Sequence, residues 1–200
     1  MITISLCMIV KNEEAVLSRC LDSAKDIVDE IIIVDTGSTD KTKEIAYRYT
    51  EKVYDFEWTQ DFSQARNYSF SKATKEYQMW LDADDIITNE NKEKILTLKR
   101  ELNPSIDIVT FKYNTHFDKD NNPTLTSTRG RLFKKGKNYL WNDPIHEYIE
   151  LTGNIYYAND IFVSHKKEAH YTDRNLKIYQ NQIKTEKNLV LEVFIIMRVS

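Results

Sequence analysis

The chain is poor in the residues that punctuate, staple or stretch a protein. Four glycines and three prolines in 200 residues exclude low-complexity linkers. The two cysteines, Cys7 and Cys20, form neither a CxxC pair nor a zinc-type spacing. Buried thiols in a reducing compartment are therefore expected. No basic stretch followed by an apolar one and a small-residue cleavage site opens the chain, so no signal peptide is read and the expected location is cytoplasmic. The late apolar run, Leu189 to Met197, contains Glu192 and is too short to span a bilayer, so no transmembrane segment is expected. A net charge of −3 and a pI near 5.9 give no electrostatic case for nucleic acid as a partner. GxGxxG and GxxxxGKS/T are both missing, so neither a dinucleotide site nor a P-loop is indicated.

What is present is ordinary in bulk and specific in pattern. With 41% hydrophobic and 30% charged residues, the composition is that of a soluble globular protein with enough chain for a real core. Ile2 to Val10 is nearly continuous apolar sequence, as in a central parallel strand covered on both faces. Val16, Leu17, Cys20, Leu21 and Ala24 then repeat at helical spacing. Ile31 to Val34 reads as a second buried strand, ending at Asp35-Thr36-Gly37-Ser38-Thr39-Asp40, where Ser38 to Asp40 can cap a helix. Lys52 to Phe56 is a third strand, and Asp61 or Ser63 can cap the helix bearing Phe62, Ala65, Ser69 and Phe70. This alternation implies a parallel sheet with helices on both faces. After a helix over Asn89 to Leu102 the period changes. Strands are expected over Asp107 to Phe117 and Thr124 to Phe133, with short ones near Tyr139, Tyr148, Ile155 and Val163, giving a smaller antiparallel second half. The expected organisation is one α/β domain over residues 1–170, followed by a C-terminal helix in 171–200, roughly Asp173 to Phe194.

The stretch Trp80-Leu81-Asp82-Ala83-Asp84-Asp85 is the focus of the pattern. A buried strand breaks into a loop there, and residues two apart in an extended chain point the same way. Asp82 and Asp84 would aim two carboxylates into the crevice at the strand's C-terminal end, where ligands of open α/β sheets bind. Paired carboxylates repel unless a cation or proton joins them. Mg²⁺ suits such a site, completing its shell with water and substrate phosphate. A plainer reading stands beside it, in which Asp84 and Asp85 open the turn and cap the next helix.

Taken in order, ISLCMIVKNEE, EIIIVDTGSTDKTKEIA, DFSQARNYSF, WLDADD, Arg129 to Phe133 (RGRLF), Ile145-His146-Glu147 and His165 resemble glycosyltransferase family 2 of the GT-A fold. The DFSxARN and His-Glu elements are nearer the branch that includes bacterial peptide S-glycosyltransferases of the sublancin type. The resemblance implies a GT-A-like nucleotide-diphospho-sugar transferase fold and a metal-dependent, inverting transfer of a hexose. The donor would be a nucleotide sugar, a UDP-sugar by preference, and the acceptor a peptide or surface glycan. It places the nucleotide against Val10, Lys11, Asn12, Glu13 and Asp35, with Arg66 nearby. It places Asp82 and Ala83 by the ribose, and Asp84 and His165 on Mg²⁺ or Mn²⁺. His170 is the rival for the histidine ligand, and His165 is preferred because it ends a strand. Glu147 is the candidate base, with His146 as its alternative or its orienting neighbour.

Arg129, Arg131, Lys134, Lys135 and Lys137 form a basic cluster. It reads as a solvated hairpin, or as a face for diphosphate, an anionic acceptor or lipid headgroups, which would allow peripheral membrane contact. Trp58 and Trp141 are candidates for stacking on sugar, whereas Trp80 is expected in the core. The competing functional reading is a non-catalytic or truncated nucleotide-sugar-binding module. A nucleotidyltransferase ranks last, because Lys11 to Glu14 stands where a glycine-rich loop would be needed.

Overall fold

The computed structural model describes residues 1–166 and 178–180. The expected C-terminal helix and His170 lie outside the described residues, apart from a helical stretch at 178–180. Ten strands and four helices are described: β1 Ile4–Val10, α1 Leu17–Ala24, β2 Glu30–Asp35, α2 Thr42–Ala46, β3 Val53–Asp55, α3 Phe62–Ser71, β4 Tyr77–Trp80, β5 Asp85–Ile86, α4 Asn89–Glu101, β6 Ile108–Phe117, β7 Pro123–Lys134, β8 Trp141–Asn142, β9 Tyr148–Ile149 and β10 Ile155–His165. Eight of the strands form one mixed sheet in the order β3-β2-β1-β4-β7-β6-β10-β5, and β8 and β9 form a separate ribbon.

The βα alternation produces the parallel half, β3-β2-β1-β4. Strand β1 is buried on both faces because each face meets its own apolar layer. Ile4, Leu6, Met8 and Val10 pack with Leu17, Leu21 and Ala24 of α1. Cys7 packs with Phe70 of α3, Trp80 and Phe133. Each such aliphatic side chain contributes roughly 1.5–3 kcal/mol of burial. Register then fixes where the strands end. Val10 pairs with Asp35, so the loops after β1 and β2 leave the sheet side by side, next to the end of β4.

The second half differs from its expected form. Strand β7 is antiparallel to both β4 and β6, as the pattern implied. The strands expected near Ile155 and Val163 are instead one strand, β10, whose register shifts between Tyr157 and Phe162. It runs parallel to β6, so this half is itself mixed. Tyr139 lies outside any strand, and the ribbon pairs Trp141 with Ile149. The register shift matters for the site. It lets the end of β10 pair with the short β5, which sets His165 opposite Asp85. Among the described residues no helix is long and apolar enough to cross a membrane.

Candidate active site

The first two loops are stitched to each other. Asn12 adopts a left-handed backbone (φ 55°), which Asn tolerates better than most residues. Its amide N–H donates to Ser38 Oγ at 2.9 Å, and its Oδ1 accepts from Thr39 N at 2.8 Å. The Glu13 N–H donates to Thr42 Oγ1 at 2.7 Å. Lys11 is exposed beside them. At the end of β2, Asp35 Oδ1 accepts the N–H groups of Gly37 and Ser38 at 2.9 and 2.8 Å. Gly37 takes φ 98°, which a residue with Cβ rarely adopts. Asp35 Oδ2 is buried and has no hydrogen-bond partner among the described residues. A buried acceptor left open in this way costs free energy unless a donor arrives.

The loop after β4 carries the acids. Ala83 is buried in the main core cluster, so Asp82 and Asp84, on either side of it, are the half-exposed positions. Their carboxylates nonetheless go to different partners. Asp82 Oδ1 accepts from Arg66 Nη2 at 2.7 Å, while Asp84 Oδ1 lies 3.1 Å from His165 Nδ1. Asp85 joins them from below. It is fully buried, and it accepts from Tyr113 Oη at 2.9 Å, Arg131 Nη1 at 3.1 Å and the Asp82 N–H at 3.1 Å. His165 Nδ1 is 3.2 Å from Asp85. One potential ligand atom from each of Asp82, Asp85 and His165 lies within 4.8 Å of the other two, and Asp84 approaches this trio through His165. Carboxylates with one imidazole form a donor set suited to a divalent ion of the Mg²⁺–Mn²⁺ type.

Opposite charges pair locally. Burial works to raise the Asp82 carboxyl, but Arg66, then Arg131 and His165, hold it below the usual carboxylate range. Burial likewise opposes the charge on His165, yet its bonds to Asp84 and Asp85 outweigh that and push it up to about 10. Arg66 is buried, with its guanidinium carbon 4.9 Å from the Trp80 ring and 4.8 Å from the Trp141 ring. Its Nε donates to Glu147 Oε1 at 2.7 Å. One arginine on α3 therefore joins the β4 loop to the loop after β8. His146, next to Glu147, is exposed with φ 57°, and its ring lies 6.5 Å from that of Tyr179.

A family model described as glycosyl transferase family 2 matches residues 5–153. The chain belongs to glycosyltransferase family 2. Among its relatives is the SPbeta prophage-derived glycosyltransferase SunS of Bacillus subtilis (strain 168), 36% identical over 72% of this chain and 34% of that one. The TPR repeat-containing protein Synpcc7942_0270 of Synechococcus elongatus is 36% identical over 75% of this chain and 36% of its own. The chain thus spans about a third of the length of these curated relatives. Similar solved structures include S. aureus TarS, with a TM-score of 0.49 at 23% identity over 58% of this chain and 37% of that one. Glucosyl-3-phosphoglycerate synthase from Mycobacterium tuberculosis, in complex with Mn²⁺ and UDP-Glc, has a TM-score of 0.47 at 23% identity, over 56% and 44% of the two chains.

Within this family 2 domain, two expectations need correction. Arg131 is not part of a solvated basic hairpin or a face open to substrate. It is fully buried, donates to Trp80 O and Asp85, and is stacked 3.8 Å from the Trp80 ring and 4.3 Å from that of Tyr113. Its neighbours in sequence, Leu132 and Phe133, are buried too, because β7 is covered on both faces here. Arg129, Lys135 and Lys137 are exposed, so the basic cluster is split. Trp141 does not stand free for a sugar, since it is buried edge-on against Phe70 and Trp80. Trp80 is in the core as expected, and Trp58 packs edge-on against Phe62. The sequence reading missed Asp85 as a hub, together with Tyr113. From sequence Asp85 stands only as a capping alternative, but Thr88 caps α4 instead.

Proposed function

We propose that this domain catalyses inverting transfer of a hexose from a UDP-sugar to a peptide or glycan acceptor, in a reaction dependent on Mg²⁺ or Mn²⁺. The observation that carries the reading is the convergence of Asp82, Asp85 and His165, with Asp84 alongside, at the C-terminal end of the parallel strands. That is where open α/β sheets bind nucleotides. Asp84 and His165 would hold a divalent ion there, which would supply positive charge for a departing diphosphate.

The chain's own groups take the remaining tasks. Asp35 Oδ2, open and buried, accepts the imide N–H of uracil. The backbone from Val10 to Glu13, pinned by Ser38 and Thr42, lines the base and ribose. Asp82, oriented by Arg66, faces the ribose. Glu147 takes the acceptor's proton as the acceptor attacks the anomeric carbon. Its bond to Arg66 aims it at the side of the site where Asp82 lies. His146 orients this loop through its left-handed backbone. Arg131 acts from beneath, holding Asp85 and the end of β4 in place. The buried thiols of Cys7 and Cys20 suit the cytoplasm.

The test is UDP release from a panel of UDP-sugars with and without Mn²⁺, alongside Asp84→Ala. Release that needs the ion and is abolished by Asp84→Ala is the expected result. Folded protein that binds UDP yet releases none from any sugar would replace this reading with a binding module.

A further inference from the structure

The chain between β7 and β10, residues 135–154, leaves the main sheet, forms the β8–β9 ribbon and carries Glu147. At its ends it is tied to the sheet, by Lys135 N to Glu76 O and by Asp107 N to Asn154 O, both at 2.8 Å. Its middle is bonded to α3, and His146 also lies by Tyr179 of the helical stretch 178–180. Phe62 N–H donates to Pro144 O at 3.0 Å, and Arg66 reaches Glu147. Between them, the Asn67 side chain pairs with the backbone of Trp141 twice. Its Nδ2 donates to Trp141 O at 3.0 Å, and its Oδ1 accepts from Trp141 N at 2.9 Å. A primary amide thus bonds the Trp141 backbone as a neighbouring strand would.

We propose that Asn67 is a positioning residue: the latch that holds the Glu147 loop at a fixed distance from the donor side of the site. The proposal rests on the reading of Glu147 as the base. Asn67 bonds backbone atoms six residues before Glu147, and it sits next to Arg66, which grips Glu147 and Asp82 together. Two residues in succession on one helix therefore fix the start of the loop and its reactive end. The loop also carries two left-handed residues, Asp143 (φ 67°) and His146 (φ 57°). Such conformations persist only where surrounding contacts impose them. From α3, the Asn67 bonds to Trp141 and the Phe62 N–H on Pro144 O bracket Asp143. An amide is needed because only a side chain with one donor and one acceptor side by side satisfies both Trp141 groups at once.

The experiment compares wild type, Asn67→Ala and Asn67→Ser with Asn142→Ala, a control on the same ribbon. Among the described residues the Asn142 side chain bonds locally, to Leu140 O. Amide hydrogen exchange is read without ligand, UDP affinity by calorimetry, and turnover as UDP release from UDP-glucose with Mn²⁺, water being the acceptor. The latch predicts exchange over 141–149 faster by about ten-fold in both Asn67 variants and unchanged in Asn142→Ala. It predicts turnover lower by roughly ten-fold or more, with UDP affinity within about two-fold of wild type. A merely structural role would weaken UDP binding and speed exchange throughout the sheet. That pattern, unchanged exchange over 141–149, or faster exchange with turnover intact, overturns the proposal. If wild type itself releases no UDP from any UDP-sugar, the glycosyltransferase reading is what fails, and exchange alone decides the latch.

Discussion

Replacing Arg66 with methionine tests the electrostatics of the site most directly. The change keeps an unbranched apolar stem between Trp80 and Trp141 and removes the charge. It leaves Asp82 and Glu147 without the cation that both contact at 2.7 Å. Two charge-assisted hydrogen bonds, at roughly 1.5–3 kcal/mol each, disappear. Breaking a buried ion pair from one side typically costs about 3–5 kcal/mol, since the remaining charge is stranded. At about 2–4 °C per kcal/mol for a domain of this size, Tm at pH 7.5 should fall by roughly 10–15 °C. The pH dependence identifies the cause. In the wild type the Asp82 carboxyl is held below its ordinary value, so its contribution is present above about pH 4 and lost as pH falls through the folded value. In the variant Arg66, the strongest opponent of burial, is gone, so burial disfavours the charged form and stability declines as pH rises. The Tm deficit should therefore be smaller at pH 4.5 than at pH 7.5, measured by calorimetry on both proteins. An equal deficit at the two pH values would refute the reasoning and point to lost packing against the two tryptophans instead.

Two further outcomes follow from individual groups. Asp35→Asn keeps an oxygen for the Gly37 and Ser38 amides but replaces the open acceptor with a donor. UDP affinity should fall by roughly 10- to 100-fold with little change in Tm, and calorimetry with unchanged UDP affinity would remove Asp35 from the site. His165 has a folded pKa pushed from 6.5 up to about 10 by Asp84 and Asp85. In metal-free protein its contribution is fully present below about pH 6.5 and is lost as pH rises toward 10. A divalent ion needs the neutral imidazole, so the gain in Tm on adding Mg²⁺ should increase between pH 6.5 and 9. In His165→Gln both slopes should vanish, and a Mg²⁺ shift independent of pH in the wild type would exclude His165 as a ligand.

How much of this was legible depended on how local the cause was. The parallel half follows from short-range signals: apolar runs for β1, β2 and β4, helical spacing in α1, and Asp61 as the cap of α3, where it accepts from Gln64 N. The placing of Asp82, Asp84 and Asp85 at a strand's end was legible for the same reason. The partners of those acids were not. Arg131 lies 46 residues from Asp85, and nothing near it in sequence separates it from the exposed Arg129. Its burial is decided by β7 lying between β4 and β6. The same holds for Trp141, which turns inward because Asn67, far away in the chain, takes its backbone. The register shift in β10 falls at Asn159-Asp160, where the sequence marks a break but not that one strand continues across it. Without the shift His165 could not meet Asp85.

Those long-range partners also divide the labour among the three aspartates. Asp85 has no exposed surface and accepts from Tyr113, Arg131 and the Asp82 amide while touching His165. A carboxylate so fully engaged can join a metal's shell only by giving up internal bonds, each of which would leave a buried donor unpaired. Arg131 would be the costliest to strand, since it is fully buried and its Nε and Nη2 already lack hydrogen-bond partners among the described residues. Asp84 keeps 18% of its side chain exposed and contacts His165, so it can turn toward an ion at little cost. Asp82 is held sideways by Arg66. This ordering supports the proposal that Asp84 and His165 would take the ion. It leaves Asp85 as the fixed negative charge beneath, which orients the imidazole and ties the end of β4 to Arg131. The trio locates the ion, and the number of bonds each acid would have to surrender separates the ligands from their support.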